Sequence, residues 1–118
     1  MTAQARKLKP LADTSPGGKL FAALVAFYAA TDPHVDRATL FGFDCLRAGG
    51  KVFAKLHNGN LVVKLPAQRI ASLMDLGRLR PYDRGRAGSM KEWAVVAAID
   101  KRGIIALAEE ARAFAGGR

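Results

Sequence analysis

The dipeptide Asn58-Gly59 stands between two runs of β-forming residues, 51–56 and 61–65. Asn-Gly is the strongest short-range signal for a two-residue hairpin, because both central residues of that turn take positive φ. A turn of fixed length sets a register. Leu56 then faces Leu61, Ala54 faces Val63 and Val52 faces Leu65, an all-apolar set that makes a core face. Lys55 facing Val62, and Phe53 facing Lys64, take the opposite face. Gly49-Gly50 marks a second turn, leading back to a strand over 41–47. Across it Cys45 is expected opposite Ala54, Phe43 opposite Leu56, and Asp44 opposite Lys55 as a charge pair. The outer face of this three-stranded meander would carry Lys51, Lys55 and Lys64 around Phe53.

Helices flank the meander. Ser15 before Pro16 is a suitable N-cap with Pro at the first helical position. Leu20, Leu24, Phe27 and Tyr28 recur at helical spacing, which predicts a helix over 16–30, stopped by Thr31-Asp32-Pro33. Pro66 opens a second helix to about residue 76, with Ile70, Leu73 and Met74 buried and Gly77 at its end. Residues 77–90 read as a long basic loop, with Arg78, Arg80, Arg84, Arg86 and, just beyond, Lys91 against only Asp83. Residues 91–98 read as a further strand. Asp100 caps a last helix to about residue 114, with Ile104, Leu107, Ala111 and Phe114 as its stripe. Antiparallel strands with helices gathered on one face make an α+β two-layer sandwich.

At 118 residues the chain suits one domain. Residues 1–15 lack periodicity and read as a flexible basic leader carrying Arg6, Lys7 and Lys9, so the domain proper is 16–118. Nineteen Lys and Arg against ten Asp and Glu give a net charge of +9. Charge of that size attracts phosphates and anionic surfaces at long range and is screened by salt. The longest apolar run, residues 20–30, is too short to span a bilayer, so no membrane partner is expected. A single cysteine allows no intrachain disulfide and suits a reducing cytoplasm.

Catalytic chemistry finds no foothold. His34, His57 and Cys45 do not stand at any zinc-site spacing. Cys45 reads as a packed thiol, His57 as an exposed hairpin residue, and Phe41, Phe43 and Trp93 as core. A ligand-stacking role at a strand edge is the alternative for Trp93. Gly17-Gly18-Lys19-Leu20 lacks the strand, the first glycine and the Ser or Thr of a phosphate loop. No nucleophile–base pair emerges, so neither an enzyme nor a cofactor is expected.

The segments Leu40-Phe41-Gly42, Gly50-Lys51-Val52-Phe53-Ala54-Lys55-Leu56 and Leu61-Val62-Val63-Lys64-Leu65 resemble those of the YjbR/MmcQ-like and TfoX N-terminal-like families. Pro81-Tyr82 and Gly88-Ser89-Met90-Lys91-Glu92-Trp93 with Val95-Val96 extend the likeness over residues 39–97. The resemblance implies a secretion-chaperone-like sandwich in the order α-β-β-β-α-β(-β)-α, and a label of DNA binding. The expected function is a non-enzymatic binding module. Its anion-binding residues would be Arg78, Arg80, Arg84, Arg86 and Lys91, together with Lys51, Lys55 and Lys64 and with Phe53 as a stacking platform. DNA or RNA is the expected partner. The alternative is a protein partner, or a second copy of the chain, added at a strand edge.

Overall fold

The computed structural model describes residues 15–40, 42–83 and 89–116. Helix α1, Pro16–Thr31, is followed by four strands: β1 Val35–Leu40, β2 Phe43–Ala48, β3 Lys51–His57 and β4 Asn60–Lys64. Helix α2, Ala67–Asp75, leads to β5 Leu79–Asp83 and β6 Ser89–Val96, and α3, Lys101–Ala115, closes the order. The strands form one antiparallel sheet in the order β1-β2-β3-β4-β6-β5. The helices pack on one of its faces, as an α+β sandwich requires. Among the described residues no helix is long and apolar enough to cross a membrane. The leader, apart from Ser15, and Phe41, Arg84 and Arg86 lie outside the described residues.

The caps are those the residue types dictate. Ser15 Oγ accepts from Gly18 N at 3.0 Å, and Asp100 Oδ1 accepts from Gly103 N at 2.8 Å. Gly77 N donates to Met74 O and Arg78 N to Leu73 O, the paired bonds of a Schellman ending to α2. Ser15 also donates to Gly59 O at 3.0 Å, tying the start of α1 to the β3–β4 turn. The approach there is so close that a Cβ on Gly17 would stand 2.6 Å from Leu61 N and 2.8 Å from Asn60 Cα. Only glycine leaves room for it.

The Asn58-Gly59 hairpin forms as expected, with φ of 52° and 78°. Ala54 pairs with Val63, Lys55 with Val62 and Leu56 with Leu61. The β2–β3 register departs from expectation at one residue. Ala48 pairs with Lys51 and Arg47 with Val52, but Leu46 then pairs with Ala54, leaving Phe53 as the extra residue of a bulge. Beyond it the register is shifted by one. Cys45 lies opposite Lys55 rather than Ala54, and Asp44 opposite Leu56 rather than Lys55. Asp44 is instead bonded to Arg37 on β1, at 2.8 Å.

One strand was not anticipated, and a second, allowed by the order the resemblance implies, lies where the residues read as loop. The segment expected to be a loop over 77–90 contains β5, and β1 precedes the meander. Both are edge strands. Pro81 is tolerated in β5 because an edge strand can spare one donor.

The core lies between helices and sheet. Phe21, Leu24 and Tyr28 of α1, Ile70 and Leu73 of α2, and Ile104, Leu107 and Ala111 of α3 meet Leu46, Ala54, Leu56, Leu61, Val63 and Ala94. Met74 and Phe114, expected in these stripes, are half-buried. Tyr28 OH donates to Glu109 Oε2 at 2.6 Å, and Arg112 of α3 bonds Asp32 just beyond α1, so the two helices are also joined by polar contacts. Burial and the neighbouring Glu109 carboxylate push the Tyr28 hydroxyl well above its ordinary pKa.

Candidate functional site

The side chains with chemical character gather on the far face of the sheet, opposite the helices. Directly paired residues share a face, so the ladder Ala38–Cys45–Lys55–Val62–Val95–Arg80 traces that face across all six strands. Lys64 pairs with Trp93 in the adjoining row. Val62, Val95 and Tyr82 form a small buried cluster with Trp93 packed against it. Tyr82 sits where the β5–β6 register is irregular, between Pro81 and Asp83. Such an irregularity re-aims a side chain. Its hydroxyl reaches His57 Nδ1 on β3 at 2.8 Å, although β4 and β6 run between the two strands.

Lys55 occupies the centre of this face. Its Nζ lies 4.6 Å from the centroid of Trp93, 4.9 Å from that of Tyr82 and 5.7 Å from that of Phe43. Lys64 Nζ lies 5.8 Å from the Trp93 centroid. At these distances the ring quadrupoles attract the ammonium groups. His57 packs on Phe43, with centroids 4.5 Å apart and planes tilted by 56°, and meets Tyr82 edge-on at 5.6 Å. The result is an aromatic and basic patch drawn from β2, β3, β4, β5 and β6.

The expected site residues separate accordingly. Lys55, Lys64 and Arg80 share the far face. Lys91 is exposed on β6, two residues before Trp93. Arg78 is exposed at the α2–β5 junction, where its backbone oxygen accepts from Ala97 N and Ala98 N. Lys51 is exposed beside the β2–β3 turn and pairs with Ala48, whose row belongs to the helix side.

Phe53 is not a surface platform. It has no exposed surface and packs edge-on against Tyr28 of α1, with centroids 5.6 Å apart. The bulge turns it from the lysine face into the core. Phe43 and His57 move the other way. Phe43 belongs to the aromatic patch rather than the core, and His57 is a half-buried member of it rather than a bare hairpin residue. Cys45 is buried, as expected of a packed thiol, but on the far face. Burial raises its pKa. Trp93 is half-buried and packed against the small cluster.

A shallow concavity, lined by His34, Gly49, Arg112 and Gly116, lies away from this patch beside the end of α3. Arg112 is committed there to Asp32 and stands 3.9 Å from Glu109, so its charge is already answered. Among the described residues no cluster of three or more His, Cys, Asp and Glu could hold a metal ion. Compared with known protein families and with curated proteins, the sequence matches none.

Proposed function

We propose that this chain is a non-enzymatic binding module, of the YjbR/MmcQ-like type its motifs resemble, that takes nucleic acid on the far face of its sheet. The observation that supports this reading is the convergence of Lys55 and Lys64 with Trp93, Tyr82 and Phe43 on one sheet face. Cations supply contacts to phosphate, and aromatic rings accept bases of any sequence. The net charge of +9 adds long-range attraction. The module is assigned to a reducing cytoplasm, where Cys45 remains a thiol.

The test is a binding titration of a labelled oligonucleotide at increasing salt. Affinity should fall by roughly 0.7 to 0.9 log units per log unit of salt for each phosphate contacted. Replacing both Lys55 and Lys64 by Gln should flatten that slope. No retention of nucleic acid at low salt would sink the proposal.

The second reading is a protein-interaction module that pairs through β1, an edge strand whose Leu40 is 41% exposed. The opposite edge, β5, suits strand addition less, because Pro81 removes a donor. A concentration-dependent dimer by light scattering, unaffected by oligonucleotide, would favour this reading over the first.

A further inference from the structure

We infer that the far face takes single-stranded rather than duplex nucleic acid, with one dinucleotide step straddling Lys55: one base on Trp93, the next on Phe43, and the phosphate between them on the Lys55 ammonium. The inference rests on the binding reading above and adds strandedness and placement to it. Trp93 and Phe43 are both half-buried, so each keeps part of its ring open to a ligand. Tyr82 is 3% exposed and its hydroxyl is engaged with His57, so it is a wall of the site and not a platform. His57, packed on Phe43 at 4.5 Å, holds that ring in place.

The order of groups decides the strandedness. Lys55 Nζ stands 4.6 Å from the Trp93 centroid and 5.7 Å from the Phe43 centroid, a cation between two partly open rings. A single strand repeats the complementary order of base, phosphate and base, and its unpaired bases can splay onto rings. A duplex keeps its bases stacked on one another and offers only phosphate rails to a flat face, so it leaves both rings without a partner. It would also be better served by cations standing away from the surface than by Lys55 and Lys64, which are drawn over the rings. When a base arrives on Trp93, the Lys55 ammonium exchanges its ring contact for the phosphate. The salt dependence should therefore include that contact.

Trp93 is the only tryptophan of the chain, so its fluorescence reports on this site alone. Titration with an oligothymidylate at low salt should quench it. A duplex with the same number of phosphates should leave it nearly unchanged. Affinity for the oligothymidylate should fall about 10-fold in Trp93→Leu and in Phe43→Leu, and by no more than about 2-fold in Trp93→Phe, which keeps a stacking ring. In Lys55→Gln the log–log salt slope should shrink by roughly 0.7, one phosphate contact of a single strand. A duplex that binds as tightly and quenches as strongly overturns the single-strand inference and leaves the nucleic-acid reading standing. An oligothymidylate whose binding, followed by anisotropy, leaves the Trp93 emission unmoved overturns the placement. If neither form binds, both fall.

Discussion

On the helix side of the sheet, the row Arg37–Leu46–Ala54–Val63–Ala94–Pro81 crosses six strands, and its four central residues are almost wholly buried and apolar. On the far face the row Ala38–Cys45–Lys55–Val62–Val95–Arg80 crosses the same strands and sets a lysine near its middle. The first row is sealed by three helices. The second is closed by its own long side chains, with aromatic rings receiving the Lys55 charge while its stem lies along the sheet. One surface thus serves stability, and the other can hold partly buried charge because rings replace some of the lost water.

That contrast can be broken by substitution. Phe53→Ala removes a ring with no exposed surface at the bulge, and should cost about 3–5 kcal/mol of unfolding free energy. Urea denaturation measures it, and a loss below about 1 kcal/mol would place Phe53 outside the core. Tyr82→Phe keeps the far-face ring and removes the bond to His57 Nδ1, so its cost should be about 1 kcal/mol. A loss as large as that of Phe53→Ala would erase the distinction between the faces.

Both faces also shelter a proton. Burial raises the pKa of the Cys45 thiol above its ordinary 9.0. Above that pH the unfolded thiol loses its proton while the folded one keeps it, so stability should fall as pH rises from 9.0. The Tyr28 hydroxyl, also raised, adds a second decline above its ordinary 10.0. The melting temperature of the wild type should fall as pH rises from 9.0, whereas that of Cys45→Ala should hold level until the Tyr28 decline begins, so the gap between the two proteins changes only in the alkaline range. A decline from 9.0 that is identical in both proteins would exclude Cys45 as its source. The smallest effect belongs to the Arg69–Glu110 pair between α2 and α3, where both partners are more than two-fifths exposed. Arg69→Gln should cost at most about 1 kcal/mol, and less in high salt.

The parts of this architecture legible in sequence are those set by local chemistry. Ser15, Pro16 and Asp100 announce helix starts, and Asn58-Gly59 fixes a turn and the pairs beside it. The bulge at Phe53 carries no such mark. Val52-Phe53-Ala54 is uninterrupted apolar sequence, and only packing against Tyr28 decides which residue is extra. Strand β1 hides because Asp36, Arg37 and Thr39 break any clean apolar face. Strand β5 hides because Pro81 reads as a loop residue until its edge position is known. The lysines of the candidate site were visible as charge. Their aromatic neighbours were not, since Phe43 reached the far face through the bulge, and Tyr82 and Trp93 meet Lys55 only through the pairing of β4 with β6 and β6 with β5.

The seat of α1 on the β3–β4 turn bears on how the chain reaches this state. The first turn of the helix rests on the backbone of residues 59–61, with no side chain at Gly17 to adjust the fit. A local hairpin closes within microseconds, whereas contacts far apart in sequence must first meet the entropy of a long loop. The seat cannot exist before the turn has closed, so the expected order is hairpin first and helix docking second, and a substitution that loosens the turn should slow the docking of α1. The same few atoms that forbid a methyl group at position 17 thereby make the docking of the helix depend on a turn formed more than forty residues away.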